Sequence, residues 1–217
     1  AYAETYDLNA MSGSAKKEDG ISTQKKIKLD DFDELQADLT IGDLNILPSG
    51  DDSCYLAWRI PSKKGETAVE YRVRDGVLSI EETSAVSDTI YINIDFTEEI
   101  LSGGKQSETG VILYVPEKKV LKKIEVTMGF GDVQMNGIRA ESGSLQNADG
   151  DITLFGCDMQ NIKCKADYGD VELKSGTWEN GSITLEDGDA KIQNTKLSGD
   201  VSVENKLETD CWMDIAT

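Results

Sequence analysis

The sequence predicts an all-β, single-stranded parallel β-helix. Three observations predict it: a motif that returns every nineteen residues, apolar positions two apart within each copy, and 20 Gly against 3 Pro. Gly131-Asp132-Val133-Gln134-Met135 recurs as Gly150-Asp151-Ile152-Thr153-Leu154, Gly169-Asp170-Val171-Glu172-Leu173 and Gly188-Asp189-Ala190-Lys191-Ile192. A unit this short cannot bury an apolar face alone. Stacked units can, each strand pairing with its copy one coil away at about 4.8 Å. Parallel crossovers are overwhelmingly right-handed, so a right-handed solenoid with regular 19-residue coils from about residue 131 is expected. No segment repeats with helical period.

Residues 1–26 are polar, mixed in charge and aperiodic, and are expected to form a disordered or loosely packed tether. Residues 27–217 are expected to form one β-solenoid domain: irregular coils over 27–130, regular coils over 131–205, and a C-terminal cap over 206–217. Strand candidates in the irregular part are 36–47, 54–60, 68–73, 77–81, 89–96, 111–115 and 122–127, with loops at 61–67 and 98–109. Gly42-Asp43-Leu44-Asn45-Ile46 is a further copy of the motif. It lies 89 residues before Gly131, not a multiple of nineteen, so the early coils are expected to carry longer excursions.

A second strand lies about twelve residues into each regular unit, at Gly143-Ser144-Leu145, Ile162-Lys163-Cys164 and Gly181-Ser182-Ile183. Its last copy, Gly199-Asp200-Val201-Ser202-Val203, arrives one residue early and predicts a shortened turn. Stacking then gives inward columns: Val133/Ile152/Val171/Ala190, Met135/Leu154/Leu173/Ile192, Ala140/Met159/Trp178/Leu197, Leu145/Cys164/Ile183/Val201 and Asn147/Ala166/Leu185/Val203. Trp178 therefore reads as core. Trp212 and Met213 read as part of a cap over the open strand edge, with a partner surface as the alternative.

Charge narrows the function classes. With 22 Lys+Arg against 41 Asp+Glu the net charge is −19, which argues against nucleic acid and against direct binding to anionic membrane surfaces. The absence of histidine removes Ser-His-Asp and Cys-His nucleophile systems and every His-ligated metal site. Cys54, Cys157, Cys164 and Cys211 are too scattered for a disulfide scaffold and read as buried thiols, against a disulfide or a metal site. No apolar run is long enough to span a bilayer. The chain opens on Ala1-Tyr2-Ala3, a small-x-small pattern like a signal-peptidase site, so an export signal or anchor is expected ahead of residue 1.

The Gly-Asp column is the most conspicuous chemistry. Gly permits the positive φ of a tight corner, and Asp can accept turn N–H bonds. Stacked at about 4.8 Å, Asp132, Asp151, Asp170 and Asp189 would repel by ~1 kcal/mol per neighbour in water, so turn hydrogen bonds, splayed rotamers or a cation must offset them. Calcium, with acids also at Asp149 and Asp187, is the one candidate metal, although the spacing matches neither an EF-hand loop nor the Gly-Gly-x-Gly-x-Asp nonapeptide repeat. No cofactor is otherwise implied. Just before the glycine runs a column of Phe130, Asp149, Tyr168 and Asp187, either a glycan-binding edge or rings covering the coil below. A polysaccharide-cleaving β-helix would need a basic residue near acids. Of Arg59, Arg72, Arg74 and Arg139 only the last lies in the regular coils, and no catalytic residue is expected.

The segments Ile27-Lys28-Leu29-Asp30-Asp31-Phe32-Asp33-Glu34-Leu35 and Leu39 to Leu47 resemble the opening of the bacterial "putative adhesin" β-helix family. Gly110-Val111-Ile112-Leu113-Tyr114-Val115-Pro116, Ile124-Glu125-Val126 and Gly131-Asp132-Val133 are similar to that family's central signature. The resemblance covers about residues 27–210. It implies an extracytoplasmic, often membrane-anchored protein, related to the C-terminal regions of some envelope-stress regulators, and no reaction. The expected function is a non-catalytic cell-envelope solenoid presenting an extended surface to a protein or glycan. The alternatives are an envelope-stress regulatory module acting through a membrane-protein partner and, third, a polysaccharide-active enzyme.

Overall fold

The computed structural model describes residues 21–62, 68–83, 109–206 and, for the backbone alone, 213–216. These residues are all-β, with no helix among them. The strands are β1 (Ile21–Lys28), β2 (Glu34–Ile41), β3 (Asp43–Pro48), β4 (Tyr55–Pro61), β5 (Val69–Arg74), β6 (Val77–Glu82), β7 (Gly110–Val115), β8 (Val120–Leu121) and β9 (Lys123–Phe130). They continue as β10 (Val133–Asn136), β11 (Arg139–Ala140), β12 (Gly143–Asp149), β13 (Ile152–Gln160), β14 (Ile162–Tyr168), β15 (Val171–Asp187), β16 (Ala190–Asn205) and β17 (Met213–Ala216).

From β9 onward the strands stack in parallel and in register, so the fold is solenoid-like. Val133 pairs with Ile152, Ile152 with Val171 and Val171 with Ala190, while Leu145 pairs with Cys164 and Cys164 with Ile183. Left-handed backbone marks the turns. One set is Gly131, Gly150, Gly169 and Gly188; another is Gly137, Gly156, Ser175 and Asn194; a third includes Asn161 and Asn180. Gly and Asn are the residues that visit positive φ at least cost, so the repeat's glycines and asparagines place the corners. Between corners the period of two points one apolar set inward. Val133, Ile152, Val171, Ala190, Met135, Leu154, Leu173, Ile192, Leu145, Cys164 and Ile183 are all buried.

The last coil corrects the expected shortened turn. Glu179 pairs with Ser198 but Gly181 pairs with Val201, so a bulge adds one residue to β16 where a deletion was expected. Ile183 consequently faces Val203 and Leu185 faces Asn205, two residues displaced from the expected columns. The bulge is held by Asn180, at φ 50°, whose side-chain oxygen accepts the Asp200 N–H at 2.9 Å.

The N-terminal half differs from a run of coils with long excursions. The 89-residue offset is itself a pairing register: Leu44 pairs with Val133 and Leu35 with Ile124. On its other side β3 pairs in parallel with β7, and β2 with β6. The β2–Gly42–β3 unit is thus intercalated between β6/β7 and β9/β10, and space does not follow sequence. Beyond it lie antiparallel strands, β4 on β7, β1 on β4 and β5 on β6, which extend the stack at this end. The candidate at 36–47 splits at Gly42 into β2 and β3. The candidate at 89–96 lies outside the described residues, as do the loop at 98–109 except for Thr109 and residues 63–67 of the loop at 61–67.

The expected tether is also corrected at its boundary. Residues 21–26 belong to β1, where Ser22 and Gln24 are buried and the Trp58 indole N–H donates to Ser22 Oγ at 3.2 Å. The signal missed was alternation by polar residues: Ser22 and Gln24 occupy inward positions normally held by apolar ones. Residues 1–20 and Trp212 lie outside the described residues. β17 pairs in parallel with the first part of β16, from Ala190↔Met213 to Gln193↔Ala216.

Candidate functional site

The Gly-Asp corner is built by two interlocked ladders. In the backbone ladder Gly131 N–H donates to Asp149 O at 2.9 Å, Gly150 N–H to Tyr168 O at 2.9 Å, and Gly169 N–H to Asp187 O at 3.1 Å. In the side-chain ladder each Asp Oδ1 accepts the N–H of the Asp one coil on. Asp43 accepts from Asp132 at 2.9 Å, Asp132 from Asp151 at 2.9 Å, Asp151 from Asp170 at 2.8 Å and Asp170 from Asp189 at 2.9 Å. Charge-assisted bonds of this length oppose the repulsion between stacked carboxylates. Lys191 Nζ adds an ion pair to Asp170 Oδ2 at 2.9 Å.

Asp170 shows the balance of terms. Burial pushes its pKa up, but the bonds from Lys191 and the Asp189 N–H together outweigh it and hold the carboxyl below its ordinary value. A depressed folded-state pKa contributes stability that is complete above the unfolded carboxylate value of about 3.9 and is lost as pH falls through the folded one. Asp170→Asn should therefore shallow the acid limb of a stability–pH profile, measured by urea titration below pH ~4.

The ladder also fixes the expected outcome for its members. Asp151→Asn keeps an oxygen to accept the Asp170 N–H and should cost little. Asp151→Ala leaves that N–H without its partner and should cost about 1 kcal/mol in a urea titration. Among the described residues no group of three or more Cys, Asp or Glu side chains is arranged to hold a metal ion. Calcium at millimolar level should shift Tm no more than magnesium or an equal ionic strength of sodium chloride, because all three relieve the −19 self-repulsion by screening. A calcium-selective rise lost in Asp151→Asn would make the corner a metal site.

Beside the corner, the structure brings the four residues of the preceding column into one register. Asp149 pairs with Phe130 on one side and with Tyr168 on the other, and Tyr168 pairs with Asp187. Tyr168 is 63% exposed and Phe130 41%, and both aspartates are exposed. Both residues are therefore partly open to solvent at the outer edge of the corner. A third ring, Phe155, is 47% exposed but lies within β13 beside the Gly156 turn, in register with Asn136 and Lys174.

The remaining candidates resolve into structure. Trp178 is buried as expected, and its indole lies over Gly181, where a Cβ would collide with Nε1. Among the described residues that nitrogen has no hydrogen-bond partner, so packing holds the ring. Cys54, Cys157 and Cys164 are buried free thiols, and burial pushes the first two up to about 11. Cys211 lies outside the described residues. Arg139 faces Asp158 at 3.4 Å across neighbouring strands. Sequence reasoning missed Asn147 and Asn205, whose Nδ2 groups donate to the corner carbonyls of Gly131 and Gly188 at 2.8 Å each. The signal was there for Asn147, a polar residue in an otherwise apolar column.

With this corner and its coils in view, comparison with known families is decisive: the Toastrack DUF4097 profile matches residues 32–210. The chain belongs to the Toastrack DUF4097 family. Among solved structures this Toastrack chain is similar to a "putative cell adhesion protein" from Clostridium sporogenes, at 11% identity and TM-score 0.49, over 85% of this chain and 100% of that one. It is also similar to a "putative adhesin" from Bacteroides fragilis (14%, TM-score 0.39, 88% and 98% covered) and one from Parabacteroides distasonis (14%, 0.38, 87% and 98%). No curated protein matches it. Among the described residues of the Toastrack chain no helix is long and apolar enough to cross a membrane.

Proposed function

We propose that this Toastrack chain is a non-catalytic, extracytoplasmic solenoid that presents its corner column to a protein or glycan partner. The observation that carries the reading is the register of Phe130, Asp149, Tyr168 and Asp187: exposed rings alternating with exposed carboxylates at a spacing set by strand pairing. Rigid elements hold such a surface more precisely than loops do. We take the coil to be nineteen residues, the offset at which Val133, Ile152 and Val171 pair, and right-handed, the hand that parallel crossovers favour. Carboxylates bonded to their neighbours' N–H groups are committed to the corner, which favours binding over acid–base chemistry at that ladder.

The test is a binding screen of the full chain against envelope glycans and purified envelope proteins, repeated with Phe130→Ala/Tyr168→Ala. A binder weakened about tenfold or more in the double variant, with Tm unchanged, supports the column as the surface. Binders that ignore the substitution would place the surface elsewhere.

A further inference from the structure

We infer that the corner column takes an extended, uncharged β-1,4-linked oligosaccharide lying along the stack, across the strands, with sugar faces on Phe130 and Tyr168. The inference rests on reading the column as the binding surface and adds the chemical class of the ligand. Its first ground is spacing. Phe130 and Tyr168 both pair with Asp149, so their strands are two steps apart, about 9.6 Å in a parallel ladder. In an extended β-1,4 chain consecutive sugars are flipped, and the same face recurs once per disaccharide unit, a length close to that separation. Two rings borne on strands at this pitch can meet the same face of alternate sugars.

The second ground is chemistry. The exposed face of an aromatic ring stacks on the C–H face of a pyranose, and Tyr168 has most of its surface available. Asp149 lies between the rings and Asp187 follows Tyr168, so each ring has a carboxylate one strand away to accept sugar hydroxyl hydrogen bonds. The third ground is charge. With −19 overall and two exposed aspartates in the column, polyuronates and sulfated glycans are repelled, which leaves neutral or N-acetylated chains.

The experiment titrates the full chain with cello- and chito-oligosaccharides from disaccharide to hexasaccharide, followed by calorimetry and amide NMR. Affinity should rise sharply between disaccharide and tetrasaccharide, since only the longer chain spans both rings. Tyr168→Phe should bind as the parent does, and Tyr168→Ala should lose about tenfold or more. The discriminating variant is Asp149→Tyr/Tyr168→Asp, which keeps the composition but sets the rings one strand apart. It should bind as poorly as Tyr168→Ala. Absence of binding to both series, or binding indifferent to the exchange, overturns the inference. Tyr168-dependent binding of a basic peptide instead would overturn the glycan assignment and leave the proposed surface standing. If no ligand depends on Tyr168, both fall.

Discussion

Gly150→Val is expected to abolish the regular coils. Gly150 sits at φ +134°, a conformation open to glycine and strained for any residue with a Cβ, and β-branching worsens it. Space is also lacking. A Cβ built there falls on the carbonyl oxygen of Gly131, inside van der Waals contact, and the obstacle is backbone that cannot rotate away. Gly131 and Gly169 stand in the same position relative to Gly42 and Gly150, so the obstruction is a property of the corner. Relief requires separating the strands, and each coil depends on its neighbours for its buried face. The expected loss exceeds about 4 kcal/mol, comparable to the whole stability of a small domain. Gly156→Ala is the matched control: φ is +62°, but nothing lies within 4 Å of its Cβ. It should cost only the left-handed strain, about 1–2 kcal/mol. Equal damage in a urea titration would show that the corner is looser than the register implies.

Leu173→Asp is the second large effect. Leu173 is buried between Leu154 and Ile192 in the inward column, and a carboxylate there meets no polar partner. Truncation to Ala would already cost about 2–5 kcal/mol, and the buried charge adds its desolvation penalty. The domain should unfold near neutral pH, and Leu154→Asp should do the same. Glu172→Lys, on the outward side of the same strand, loses a half-exposed pair with Lys174 at 3.5 Å and the attraction of Lys191 on the next strand, and should stay within about 1 kcal/mol. Sequence alone expects Lys191→Glu to be as harmless. The ion pair to Asp170 changes that, because the substitution puts a carboxylate against the Asp ladder and should be clearly destabilising.

Where the repeat is regular, the sequence is a reliable guide because the chain's own periodicity is the constraint. Val133, Ile152, Val171 and Ala190 must face inward together, or a slip by one residue would turn every apolar side chain to solvent. The bulge in β16 escaped because Gly199-Asp200 mimics the corner motif, whereas Gly199, at φ 68°, takes the left-handed position that Asn180 holds one coil back, and Asp200 follows as the extra residue. The intercalation of β2–β3 escaped for a different reason. Periodicity records distance along the chain, and nothing in it tells whether 89 residues are spent in an excursion or in a separate layer of strands. Pairing energies of the β2–β9 and β2–β6 ladders are local to each interface, so the stack accepts a coil out of sequence order as readily as one in order. The candidate site was legible as a column, from Phe130 to Asp187, since any in-register stack forces it. Its exposure was not, because the direction in which a corner ring folds depends on the neighbouring coil rather than on its own sequence.

The central claim is the order of the coils, and proximity cross-linking tests it most directly. Asp38 pairs with Thr127 on one side and with Glu81 on the other, and all three side chains are exposed. In a Cys211→Ser background, Asp38→Cys/Thr127→Cys and Glu81→Cys/Thr127→Cys are treated with dibromobimane, which fluoresces when it bridges two nearby thiols. Cys54, Cys157 and Cys164 are buried, and the raised pKa values of Cys54 and Cys157, about 11, keep those two protonated under the labelling conditions. The intercalated order predicts rapid bridging of the Asp38/Thr127 pair and little for Glu81/Thr127, whose strands are separated by β2. Bridging of Glu81/Thr127 in place of Asp38/Thr127 would mean that the coils stack in sequence order, and would contradict the account.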